Sequence, residues 1–215
     1  MTRLTGTGRI ADDLYLIAHH EVNGRPFLQP RAIGLGLAGA LLAELTLPGL
    51  IRVWPEAIVV TGRSARPADG LTRGIVARLI AEPQRHPARD WLAFLARTAT
   101  SDVAGRLVRS GYLTQGWSRR PWRGERWVPV DADCAFAPFY RAGGALDPAK
   151  QPTVSGTALA GLAQACGLGS RLAQFGPAGA LRHLDETVRQ LNPDLRELIA
   201  QTQAAVDSAV LSHRV

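Results

Sequence analysis

Residues 31–47 hold only three polar side chains in seventeen positions, Arg31, Glu44 and Thr46. A helix that apolar has no polar face to give to solvent, so it is either enclosed by protein or spans a bilayer. Residues 32–51 come close to the roughly 20 residues that a span requires, yet they contain Glu44 and Pro48. An acid at mid-span costs about 3 kcal/mol on insertion, and Gly34, Gly36 and Gly39 suit close packing within a protein. The segment is therefore predicted as a buried helix over 31–45, opened by Pro30, at the centre of a bundle.

The remaining patterns supply what surrounds it. A short helix over 10–19 follows from Leu14, Tyr15, Ile17 and Ala18, with Asp12 and Asp13 suited to a helix N-terminus. The runs Ile51–Trp54 and Ala57–Val60 flank Pro55-Glu56 as a small β-hairpin. Helices are predicted over 71–81, 90–97 and 102–110, the last stopped by Gly111. Strands at 112–114 and 127–130 form a second hairpin. Residues 131–152, dense in Ala, Pro and Gly, are expected to form a loop with a short helical turn, and helices return over 157–166, 178–191 and 193–211. The expected fold is a mainly α, single compact domain over 1–215, with a central apolar helix and two inserted β-hairpins, one basic and aromatic.

Familiar enzyme and cofactor patterns find little support. Gly34-Leu-Gly36-Leu-Ala-Gly39 matches the dinucleotide fingerprint in letters, with Glu56 as a ribose-binding acid. That fingerprint needs a buried strand directly before its first glycine, and Pro26, Gln29, Pro30 and Arg31 stand there. Tight helix packing is the preferred reason for the glycines. No two of the five histidines are spaced as a metal-ligand pair, and His183, Asp185 and Glu186 lie on a polar helix face. No catalytic residue, metal or cofactor is assigned, and the chain is expected to be non-enzymatic. Arg9, Asp12 and Asp13 interrupt the first apolar stretch and Cys134 and Cys166 stand far apart, so a cytoplasmic, reduced setting is expected.

The formal charge of +7, carried almost wholly by arginine since Lys150 is the sole lysine, favours a polyanionic partner. Three of the five tryptophans and four arginines fall within residues 117–127, namely Trp117, Arg119, Arg120, Trp122, Arg123, Arg126 and Trp127. Tryptophan settles at the boundary of apolar and polar phases, and arginine pairs with phosphate through a planar fork of donors. As a membrane finger, such a hairpin gains about 1 kcal/mol per arginine against anionic lipid. As the wing of a winged-helix DNA-binding protein, it follows a helix ending in Arg106 and Arg109. As a structural hairpin, one or two tryptophans anchor it and the arginines are solvated; it could also mediate self-assembly into a homo-oligomer.

The order of motifs resembles the Golgi phosphoprotein 3 family of peripheral membrane proteins. The likeness is carried by Asp13-Leu-Tyr-Leu-Ile-Ala18 with Asn23-Gly24, by the core string Gly36-Leu-Ala-Gly39-Ala-Leu-Leu-Ala-Glu44-Leu-Thr-Leu47-Pro-Gly49, by Leu107-Val-Arg-Ser-Gly111-Tyr-Leu113 before the hairpin, and by Ala158-Leu-Ala-Gly-Leu-Ala-Gln-Ala165 after it. The resemblance implies a mainly helical domain that binds the headgroup of phosphatidylinositol 4-phosphate in a basic pocket and presses a hairpin on the cytoplasmic face of a membrane, with membrane enzymes as cargo in eukaryotic relatives. The family's pocket uses a Trp before the core helix, an Arg within it and two Arg three residues apart on a later helix. The corresponding places here hold Gln29, Ala38, Arg97 and Thr100, so one arginine is kept. Arg31, Arg106 and Arg109 are the expected substitutes. The compact form and arginine bias look like a bacterial branch, for which other anionic lipids are plausible ligands, and coat recruitment through a basic N-terminal tail is not expected.

Overall fold

The computed structural model describes residues 7–61, 67, 69–116, 126–174 and 176–212. Helix α1 (Ile10–Ala18) is buried at every position, Asp12 and Asp13 included. Helix α2 (Pro30–Thr46) starts with proline at its first turn, where the missing N–H leaves nothing unsatisfied, and buries every residue from Ala32 to Ala43. It is ringed by α1, α4 (Ala88–Leu95), α5 (Ala99–Arg109), α7 (Val154–Ala165) and α10 (Pro193–Leu211). One continuous core joins all these elements, with Leu14, Leu37, Leu41, Leu92, Leu107 and Leu162 among its fully buried side chains.

The α2 glycines are explained by that ring. A Cβ on Gly34 would lie 2.6 Å from the Ala96 carbonyl oxygen, one on Gly39 2.5 Å from Thr202 Oγ1, and one on Gly36 would collide with Cys166 Sγ. They admit the turn after α4, the start of α10's second half and the end of α7 to backbone contact. The residues before them form a turn and a helix cap, with no strand leading into Gly34.

Strands β1 (Ile51–Trp54) and β2 (Ala57–Val60) form an antiparallel hairpin with Ile51 opposite Val60. Helix α3 (Gly70–Ala81) follows, capped by Asp69, whose carboxylate accepts from the Leu71 and Thr72 amides. Strands β3 (Leu113–Gln115) and β4 (Trp127–Pro129) pair antiparallel with Gln115 opposite Trp127.

The stretch expected as a loop contains a full helix, α6 (Ala132–Gly143), capped by Asp131. Pro138 forfeits one helical hydrogen bond within it, but Cys134, Ala135, Phe139 and Ala142 are buried on one side and the helix packs against α1 and α7. Tertiary burial outweighs the local breaker. A five-residue helix α8 (Gly169–Ala173), too short to show a periodic sequence pattern, follows α7, and α9 (Ala180–Arg189) and α10 come after it. The fold is mainly α with two small hairpins. No described helix is long and apolar enough to cross a membrane.

Candidate anion-binding cleft

Where α1 ends, the chain turns back on itself. His19 makes an isolated antiparallel bridge with Pro26, the His20 amide donates to the Arg25 carbonyl, and the Phe27 amide donates to Ala18. Gly24, at φ +62°, lies so close to the Trp127 carbonyl that no side chain would fit there. The α1–α2 turn is thereby pressed against the base of the β3–β4 hairpin. Between them, the N-terminus of α2 and the start of α5 opens a cleft of about 720 Å³.

Three arginines from three different elements line this cleft. Arg31 comes from the first turn of α2, Arg97 from the turn after α4, and Arg126 from the residue that enters β4. Arg31 and Arg97 are exposed and Arg126 is half-buried, and none of them has a carboxylate partner among the described residues. Among the described residues, no aspartate or glutamate lines the cleft. Its other walls include Tyr15, His19, Thr100, Ala104 and Trp127. Charge repulsion among three uncompensated guanidinium groups makes such a surface a receptor for an anion, and the planar forks match phosphate oxygens. A smaller groove of about 370 Å³, lined by Leu35, Ala93 and Ala96, adjoins it across the same Arg31 and Arg97.

The sequence-derived candidates separate in space. Arg31 and Arg97 face the cleft, and Gln29 caps α2 just outside its lining. Ala38, at the place of the family's inner arginine, is wholly buried in the core, while Thr100 forms part of the cleft wall. Arg126, which the sequence pattern grouped with the hairpin tip, lines the cleft instead. Arg109 borders a separate cleft with Arg9, Asp69 and Asp102. Trp117, Arg119, Arg120, Trp122 and Arg123 lie outside the described residues. The chain leaves for them at Gly116 and returns at Arg126, and the Gly116 amide donates to the Arg126 carbonyl at 2.7 Å.

Arg106 belongs to a different structure altogether. It is 4% exposed, and its guanidinium donates to Asp12 Oδ1 at 2.7 Å and to both Glu44 carboxylate oxygens at 3.0 Å, with Asp69 3.5 Å away. Glu44 also accepts from the Ala11 amide, and the neighbouring Asp13 pairs with Arg141. Burial pushes the carboxyls of Asp12 and Glu44 up, against the pull of Arg106. Asp13, with burial opposed by Arg141, is raised to about 7. Arg106 is therefore buried and its charge is compensated by Asp12, Glu44 and Asp69, which sets it apart from a headgroup-binding role and leaves Arg109 of the two cations that the winged-helix alternative placed on this helix.

His19 and Tyr15 were not anticipated as cleft residues; in sequence they read as the end of an apolar helix. Among the described residues no group of three His, Cys, Asp or Glu side chains could hold a metal ion. Cys134 and Cys166 are free and buried. Compared with models of protein families, the chain matches the one described as GPP34, Golgi phosphoprotein 3, over residues 10–211. No curated protein matches it.

Proposed function

The chain belongs to the Golgi phosphoprotein 3 (GPP34) family, known for lipid binding in general and not a family of enzymes, and from that premise we propose that it is a peripheral membrane protein that receives an anionic phospholipid headgroup in the Arg31–Arg97–Arg126 cleft. The supporting observation is that, among the described residues, three arginines without a carboxylate partner line a cleft free of aspartate and glutamate at the base of the β3–β4 hairpin. In this proposal Trp117, Arg119, Arg120, Trp122 and Arg123, which follow Gly116 and precede Arg126 in sequence, meet the same bilayer. A headgroup bearing phosphate, as in phosphatidylinositol 4-phosphate or another anionic phospholipid, sits on the arginines while the tryptophans settle at headgroup depth. Docking is reversible and on the cytoplasmic face, and self-association or membrane-enzyme cargo would add to avidity.

Each arginine near an anionic surface contributes about 1 kcal/mol. Co-sedimentation with neutral, phosphatidylglycerol, cardiolipin and phosphatidylinositol 4-phosphate vesicles tests the proposal. The native chain should pellet with anionic vesicles in preference to neutral ones. Arg97→Ala should weaken that by about fivefold, and Trp122→Ala/Arg123→Ala by more than the loss of one charge. Equal pelleting with neutral and anionic vesicles would contradict the proposal, and binding only to duplex DNA would replace it.

A further inference from the structure

The cleft contains one buried side chain whose chemistry is opposite to that of its arginines. His19 is 7% exposed and stacks on Tyr15 with ring centroids 4.0 Å apart. Its Nδ1 lies 2.7 Å from the Tyr15 carbonyl oxygen. A carbonyl can only accept, so Nδ1 carries the proton and Nε2 of the neutral ring is left as an acceptor. The Tyr15 carbonyl is the one hydrogen-bond partner of the His19 ring among the described residues, and His19 lines the cleft. Burial lowers the His19 pKa below its ordinary value, against the pull of its bond to Tyr15. The charged residues that share the cleft lining with it among the described residues, Arg31, Arg97 and Arg126, are all cations, which, like burial, favours the neutral ring.

The three arginines offer donors only, which satisfy phosphate oxygens. An acceptor fixed among them is satisfied by a ligand that brings a donor of its own. We propose that His19 is a specificity-determining residue of the cleft, selecting headgroups that carry a free hydroxyl beside the phosphate. This rests on the cleft being the headgroup site. A phosphodiester without a hydroxyl leaves Nε2 desolvated and unpaired, whereas a polyol headgroup donates to it. A site built to pair a ligand hydroxyl discriminates against the analogue lacking it because its own polar atom is then orphaned.

Phosphatidylglycerol and phosphatidylmethanol provide the test, since each carries one phosphodiester charge and only the first has headgroup hydroxyls. With equal mole fractions in phosphatidylcholine vesicles, general electrostatics and insertion of the tryptophan segment are matched. The native chain should bind phosphatidylglycerol vesicles about threefold to tenfold more tightly. His19→Phe, which keeps an aromatic ring over Tyr15 and removes the acceptor, should abolish the preference and equalise the two affinities. Equal native affinities would overturn the inference without any variant, and so would a preference that survives in His19→Phe. Arg31→Ala/Arg97→Ala separates this from failure of the cleft itself: if it leaves both affinities unchanged, the headgroup is not in the cleft and both proposals fall.

Discussion

Arg106 and Arg97 are two arginines nine positions apart with opposite employment. Arg106 is enclosed by Asp12, Glu44 and Asp69, and Arg97 stands at a cleft without a carboxylate partner among the described residues. Removing one partner from a buried ion-pair network leaves charge uncompensated, so Arg106→Met should destabilise the protein by about 3–5 kcal/mol. Urea denaturation measures this, and an unchanged midpoint would contradict it. Asp13 gives a pH signature. Its pKa is raised from 3.8 to about 7 by burial, so between those values the folded chain holds a proton that the unfolded chain releases. This contribution to stability is present below pH 4 and is lost as pH rises through 7. Relative to Asp13→Asn, the native chain should therefore lose stability across that window and run parallel to the variant above it; thermal melts at several pH values would show an offset independent of pH if the premise were wrong. The sorting of the arginines was not legible locally: Asp12 lies 94 positions from Arg106 and Glu44 lies 62 away. Without tertiary contacts, Arg106 reads as another surface cation.

At the scale of elements, legibility followed the strength of the periodic signal and of its punctuation. The apolar run that became α2 left one solution once a bilayer span was set aside, and its three glycines meet Ala96, Thr202 and Cys166. Gly39→Ala would force a methyl onto Thr202 at the α2–α10 contact, and such overpacking should cost about 1–3 kcal/mol. Denaturant unfolding checks the figure; a neutral substitution would show that α10 can yield there. Helix α6 was obscured because Pro138 and the flanking alanines and glycines are local signals for a loop, while the burial of Phe139 and Cys134 against neighbouring helices is not local. The cleft was legible only in part for the same reason. Arg31 and Arg97 stood out by charge, but Arg126 reads with the tryptophan tract, and His19 joins the cleft only through the turn that brings Gly24 to Trp127.

Across the whole molecule, the net charge of +7 is a property that nonspecific attraction to any anionic surface could exploit. The proposal of a single headgroup-collecting cleft is narrower. A comparison at constant net charge separates the two. Arg31→Gln/Arg97→Gln/Arg126→Gln removes three charges from the cleft. Arg182→Gln/Arg189→Gln/Arg196→Gln removes three from exposed positions on α9 and α10. With both variants shown to melt like the native chain, their affinities for phosphatidylglycerol vesicles at physiological salt are the measurement that bears most directly on the proposal. The cleft variant is expected to lose more than tenfold, as about 1 kcal/mol for each of its arginines implies, while the α9–α10 variant stays within about threefold of the native value, since exposed charges away from the contact are screened. Equal losses in the two variants would contradict the cleft as the headgroup site and leave only the overall charge.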